Sequence, residues 1–349
     1  MPKASRWSAL ITAWRGHVFL VLGGVALALI VGEIAVRALV PEPPSPRITE
    51  PAGSSPFRQT PRGLYVYRPG ASFSHVYDVA RDPRGYFCAS GRVHYRINNL
   101  GFRGEDISVE KPSGVRRILC LGDSFTFGEG AREEDTWPER LGRLAGPETQ
   151  VINAGVQGYD LDHEALYLFL YGRQLDPDVV VVAFFMNDAM PFGETVSHHA
   201  RLTETSAEPS GIARLSALCR ILERRRTVAR QTSAYLHDLR QSFSSQRWKE
   251  AKSRISRLRE MADHDGFDIV AVIFPLLYKL NDGYPLEREH AAVRKAFADA
   301  GIEVLDLLDA YRSHRAPELW VHAVDHHPNE FAHAIAAERI ARFLEIAPE

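Results

Sequence analysis

The chain's apolar positions follow three successive patterns. Val18 to Gly32 are all apolar or glycine, and with Ile34, Ala35 and Val36 the run reaches about 19 residues, near the ~20 that cross a bilayer. Glu33 interrupts it close to one end, and Arg37, one helical turn on, is placed to pair with it. Lys3, Arg6 and Arg15 precede the run, which by the positive-inside rule leaves the N-terminus in the cytoplasm and the remainder outside. Arg37 and Arg47 beyond the run weaken that bias. A cleaved signal needs a small-x-small site after the apolar core, whereas Ala26-Leu27-Ala28 lies inside it. A buried core helix is the other alternative, but a loop separates the run from the globular part. Residues 1–40 are read as a cytoplasmic tip and a signal-anchor helix.

Residues 41–63 are rich in Pro, Ser and Gly and read as a linker. Residues 64–115 carry many aromatics and short alternations such as Val93-His94-Tyr95-Arg96-Ile97, which predict a small β-rich lead-in. Over 116–349 the pattern becomes short apolar runs between helical stretches. Arg117–Leu121, Val151–Ala154, Val179–Phe185, Ile269–Phe274 and Ile302–Leu307 have the length and turn-residue boundaries of buried strands. Strands alternating with helices predict parallel βαβ units and a doubly wound α/β sheet whose site lies at the strands' carboxyl ends. An insert spans about 188–264. Thr203–Gly211 reads as loop, and Ile212–Arg230 and Thr232–Leu258 read as basic helices. Arg220, Arg224, Arg225, Arg226 and Arg230 form either a solvated face or a cap that meets an anionic lipid surface or polymer.

Composition changes little in this picture. The 349 residues carry a formal net charge of −2, which does not suggest a general polyanion binder, and no nucleic acid is expected as a partner. Cys88, Cys120 and Cys219 show no metal-ligand spacing; Cys120 sits in a strand-like run as a core residue, and Cys88 and Cys219 are a candidate disulfide if the domain faces an oxidising compartment.

Candidate chemistry falls after the strands. Ser124, in Gly122-Asp123-Ser124-Phe125, stands at a strand-to-helix turn where free N–H groups favour developing negative charge; taken alone, Asp123-Ser124 also reads as a helix N-cap. Asp325-His326-His327-Pro328-Asn329 offers an imidazole to take a hydroxyl proton and a carboxylate to orient it. It reads as a loop that precedes a helix from about Glu330 to Leu344. Asn187 follows the third strand and can donate its amide to an oxyanion; Gly158 follows the second and can donate its backbone N–H. Each is also an ordinary turn former, so the inference rests on their convergence at one sheet edge.

Together these blocks resemble the SGNH hydrolases, the GDSL esterase/lipase superfamily, over roughly residues 90–345. Gly101-Phe102-Arg103-Gly104, Gly122–Gly130 and Thr136-Trp137-Pro138 resemble a bacterial subgroup with an N-terminal membrane segment. The resemblance implies a flavodoxin-like three-layer αβα fold with a five-stranded parallel sheet. It implies a serine ester hydrolase with Ser124 as nucleophile, His327 as base and Asp325 as its carboxylate. Ser124, Gly158 and Asn187 would be the oxyanion donors, with no metal and no cofactor. Many members place the aspartate three residues before the histidine; Val324 stands there, so Asp325 takes the role, and a Ser-His dyad remains if its geometry fails. His326 and His333 are weaker candidates for the base, and Asp123 fits a role in fixing its loop.

The expected substrate is an acylated small molecule, glycan or lipid of the cell envelope. The expected location is a single-pass membrane anchor with the catalytic domain extracytoplasmic, periplasmic in a Gram-negative cell. Acyl transfer would use the same residues. A non-catalytic envelope binding protein is the third reading, which the intact Ser, Gly, Asn and His set argues against.

Overall fold

The computed structural model describes residues 4–40, 47–51, 53–82, 84–190, 211–281 and 283–346. Most of the loop expected at Thr203–Gly211, and residues 41–46 of the linker, lie outside these. The chain forms two compact units: Met1–Pro43 with Thr205–Gln231, and Pro44–Glu204 with Thr232–Glu349.

The first unit contains helix α1 (Ala4–Leu39), whose apolar part, His17–Leu39, has no buried residues and is a candidate membrane anchor or signal sequence. Arg37 Nε donates to Glu33 at 2.7 Å, the one-turn pairing that the spacing predicts.

The second unit opens with two small antiparallel sheets. Strands β1 (Ile48–Pro51), β4 (Ser72–Val76) and β5 (Arg92–Arg96) form one in the order β1-β4-β5; β2 (Phe57–Gln59) and β3 (Tyr65–Tyr67) form the other. In β5 the alternation places Val93 and Tyr95 inside and Arg92, His94 and Arg96 outside. The Phe127 ring stacks on Tyr67 with centroids 5.0 Å apart, which joins this lead-in to the main core.

The main sheet comprises β6 (Arg116–Gly122), β7 (Thr149–Gly155), β8 (Val179–Phe185), β9 (Asp268–Phe274) and β10 (Glu303–Asp306). All pairings are parallel, in the spatial order β7-β6-β8-β9-β10. That is the flavodoxin-like order, with its topological switch point between β6 and β8. Every residue of β8 is buried, as a central strand covered on both faces requires. The intervening helices are α2 (Ser124–Phe127), α3 (Trp137–Ala145) and α4 (Leu161–Tyr167), then α5 (Ala217–Ser242), which begins in the first unit. There follow α6 (Gln246–Asp265), α7 (Glu287–Asp299), α8 (Leu308–Tyr311) and α9 (Glu330–Phe343). One group packs α3 against α9, and another packs α6 against α4 and α7.

Three local expectations change. Residues 48–51 and 57–59, read as linker, are strands β1 and β2, because each pairs with a strand of the lead-in. The insert's helices do not break near Gln231 but at Phe243–Ser245, where the Ser244 and Ser245 hydroxyls turn back onto the Gln241 and Ser242 carbonyls and compete with further helix. The segment around His327 is not a loop but half of a two-stranded ribbon, β11 (Trp320–His322) with β12 (Asp325–Pro328). Among the described residues the cysteines are free thiols, Cys88 exposed and Cys120 buried in β6.

Candidate active site

Strand β6 ends at Gly122, and the chain turns at once into α2. Gly122 has φ +154°, and a Cβ there would lie 2.1 Å from Thr126 Oγ1, so the turn is open to glycine alone. Beside it, a Cβ on Gly155 of β7 would lie 2.2 Å from the Phe127 backbone nitrogen; α2 therefore rests directly on β7. Asp123 caps the helix, its Oδ1 accepting from Phe125 N at 2.8 Å. Its carboxyl is fully buried and rises to about 6, chiefly through burial. This fixes Ser124 in the first turn, over the switch point.

The register β7-β6-β8 places the residues after β7 and β8 on either side of Ser124. Gly158 has φ +80°, in the left-handed region. Asn187 follows β8 in a tight turn whose Asp188 Oδ2 accepts from Phe185 N at 2.7 Å. The Asn187 side chain is buried, and its Oδ1 has no hydrogen-bond partner among the described residues.

Across the crevice, β12 presents Asp325 and His327. In a strand, residues two apart share a face; both are buried, while His326 between them is exposed and stacks on Trp320 at 3.7 Å. The pleat makes the two-residue spacing workable and turns His326 away. His327 Nε2 lies 2.9 Å from Ser124 Oγ, and His327 Nδ1 lies 2.5 Å from Asp325 Oδ1. His333, in α9, is fully buried; its Nδ1 accepts from Trp137 N at 3.3 Å, and burial lowers its imidazole to about 3.

Four residues not singled out for the site in the sequence reading complete the surroundings. Tyr77 OH donates to Asp325 Oδ2 at 2.8 Å, and Arg47 Nη1 donates to the same oxygen at 2.9 Å. Arg47 also pairs with buried Glu129 through Oε1, while Glu129 Oε2 lies 3.8 Å from His327 Nε2. Arg103 reaches from the lead-in to donate to the carbonyls of Phe127, Gly128 and Ala131 and so holds the loop that carries Glu129. The Gly128-Glu129-Gly130 sequence was the available signal for a functional carboxylate, because a charged residue between glycines directly after a candidate nucleophile is unusual for a plain turn.

Burial alone would lower the His327 imidazole, but the Glu129 and Asp325 carboxylates outweigh it and raise the group to about 9. Glu129 stays well below the usual carboxylate range: Arg47 and His327 overcome its burial. Glu129, Asp325 and His327 offer metal-ligand atoms within 4.8 Å of one another. The Arg47 guanidinium is already the cation set against both carboxylates, so this donor set fits an ion poorly.

Residues 120–335 match the GDSL-like Lipase/Acylhydrolase family. The chain belongs to that family. It is a serine esterase of the GDSL/SGNH type on a flavodoxin-like sheet, with an N-terminal apolar helix. No curated protein matches the chain significantly. Among solved structures it is similar to the acetylxylan esterase Axe2 from Geobacillus stearothermophilus, at 17% identity over 67% of this chain and 95% of that one, TM-score 0.42. It is also similar to the acetyl xylan esterase AlAXEase, at 14% identity over 65% and 99%, TM-score 0.41. TesA is a further likeness, at 15% identity over 66% and 98%, TM-score 0.43. Likeness at this level carries nothing about this chain's substrate.

Proposed function

We propose that this esterase removes an O-acyl group from an envelope carbohydrate or lipid by a Ser-His-Asp mechanism. The observation that carries the reading is the 2.9 Å approach of His327 Nε2 to Ser124 Oγ, with Nδ1 of the same ring on Asp325. His327, once neutral, takes the Ser124 proton as Oγ attacks the ester carbonyl carbon. The carbonyl oxygen becomes an oxyanion held by the N–H groups of Ser124 and Gly158 and the Asn187 amide. His327 then gives its proton to the departing alcohol oxygen as that C–O bond breaks. Water, deprotonated by His327, adds to the acyl-enzyme carbonyl, and Ser124 leaves with the proton to release the acid. Asp325 holds the imidazole tautomer and offsets its charge in both steps; Tyr77 and Arg47 donate to that carboxylate and orient it.

We further propose that α1 stays as a single-pass anchor with the hydrolase domain outside the cytoplasm, since the apolar stretch follows Lys3, Arg6 and Arg15 and contains no good cleavage site. Mass spectrometry of envelope polysaccharide and lipid, after incubation with wild type and with Ser124→Ala, tests the activity. Loss of acyl groups with wild type alone is the expected result, and equal loss with both proteins overturns the reading.

A further inference from the structure

Glu33 is a charge near the C-terminal end of a largely apolar stretch, and the first unit accounts for it. Its carboxylate accepts from Ser216 Oγ at 2.8 Å, from Ala217 N at 2.8 Å and from Leu218 N at 3.1 Å. These are the free donors at the start of α5, so a residue of one helix caps another. Arg37 adds a second tie, Nη2 donating to the Leu215 carbonyl at 2.8 Å. The apolar stretch His17–Leu39 is 23 residues long, roughly 34 Å against a hydrocarbon core of ~30 Å. Glu33 stands six residues before Leu39, about 9 Å along the axis from that end and so roughly 7 Å inside a centred ~30 Å core, within the ~5–10 Å to which interfacial helices sink below the headgroups. The first turn of α5 is thereby held at the same depth.

What α5 presents at that depth suits a headgroup layer. Leu215 just before the helix is 80% exposed and Ile212 is 74% exposed. Leu215, Leu218, Leu222 and Ala229 follow one another at helical spacings of three, four and seven, and Leu222 is 45% exposed. Arg225 and Arg226 flank this stripe and Arg230 lies near its edge, while Arg220 and Arg224 stand on the opposite face, with one acid, Glu223, in the segment. No ion pair is formed by Arg220, Arg224, Arg225 or Arg226 among the described residues. Leucines in the interface with arginines snorkelling to phosphates is the pattern of an interfacial helix on an anionic surface.

We propose that residues 212–230, the short turn before α5 together with its N-terminal part, are a second membrane contact that lies in the headgroup layer and selects anionic phospholipid. Glu33 is its positioning residue. The proposal rests on α1 being a retained anchor and is independent of the esterase chemistry. Each arginine near such a surface strengthens the attraction about fivefold.

The test uses the full chain in nanodiscs, with the native cysteines replaced and a fluorophore on Leu222→Cys or, separately, on Leu27→Cys. Discs hold phosphatidylcholine alone or with about a third phosphatidylglycerol. A headgroup nitroxide should quench the label at 222 in the anionic discs, more weakly in neutral discs or high salt. Combined Arg225, Arg226 and Arg230→Gln should abolish the lipid dependence while leaving fluorophosphonate labelling of Ser124 unchanged. A deep acyl-chain nitroxide should quench the label at 27 in both discs. An unquenched label at 222 beside a quenched one at 27 overturns the lipid contact. An unquenched label at 27 removes the anchor and the proposal with it.

Discussion

The pH dependence of this enzyme should be set by a residue outside the proposed Ser-His-Asp set. Glu129 Oε2 lies 3.8 Å from His327 Nε2, and together with Asp325 it raises the imidazole to about 9. A base must be neutral to take the serine proton, so kcat/KM should climb with pH through neutrality and level off only near that value. The Glu129→Gln variant removes one negative charge and keeps the shape. A unit charge at this distance is worth roughly 1 kcal/mol in water and about 4 kcal/mol at an effective dielectric of ~20. At 1.36 kcal/mol per unit, the imidazole should fall by about 1 to 3 pH units, because less negative charge makes the protonated ring less favourable. The acidic limb should move down by that amount, and activity near neutrality should rise unless Glu129 also positions substrate. The assay is kcat/KM for p-nitrophenyl acetate against pH, which reports the free enzyme. An unchanged limb in Glu129→Gln would refute the electrostatic reasoning, since Asp325 alone would then account for the shift.

Other outcomes follow from the same geometry. Arg47→Met should move the limb the opposite way, upward, because its cation opposes protonation of His327; a downward shift in the same pH profile would contradict this. Asn187→Ala should lower kcat by ~10²–10³, the usual effect of losing one oxyanion donor, whereas a twofold change would exclude it from that role. Gly155→Ala drives a Cβ into the Phe127 backbone nitrogen, and overpacking of this kind costs ~1–3 kcal/mol. Thermal unfolding should show Tm lowered by about 5 °C, with esterase activity reduced more than Tm alone explains because Ser124 rides on the same turn.

The strands were legible because each is a short apolar run too brief for a helix. β8, Val179–Phe185, is uninterrupted because it is buried on both faces. Ser124, Gly158, Asn187 and His327 stand out in the sequence because each follows or lies beside a strand end with a residue type suited to acyl chemistry; the structure adds the 2.9 Å approach of His327 Nε2 to Ser124 Oγ, and the roles of all four remain part of the proposal. Arg47 and Tyr77 were not. Their contacts with Asp325 span 278 and 248 residues of chain, and an arginine in a Pro- and Ser-rich segment reads as solvated. Nor did periodicity reveal that β12 is a strand, because four residues are too few to show an alternation. That strand decides which histidine faces Ser124. Glu33 read as a charge pairing with Arg37, and only the placement of α5 shows what its carboxylate holds.

Everything in the proposed chemistry depends on Ser124 being a nucleophile activated by His327. Incubating the full chain with a fluorophosphonate and mapping the adduct by peptide mass spectrometry addresses that dependence directly. We expect one adduct, on Ser124, formed far more slowly in His327→Ala. An adduct on another residue, or equal labelling rates in wild type and His327→Ala, would contradict it.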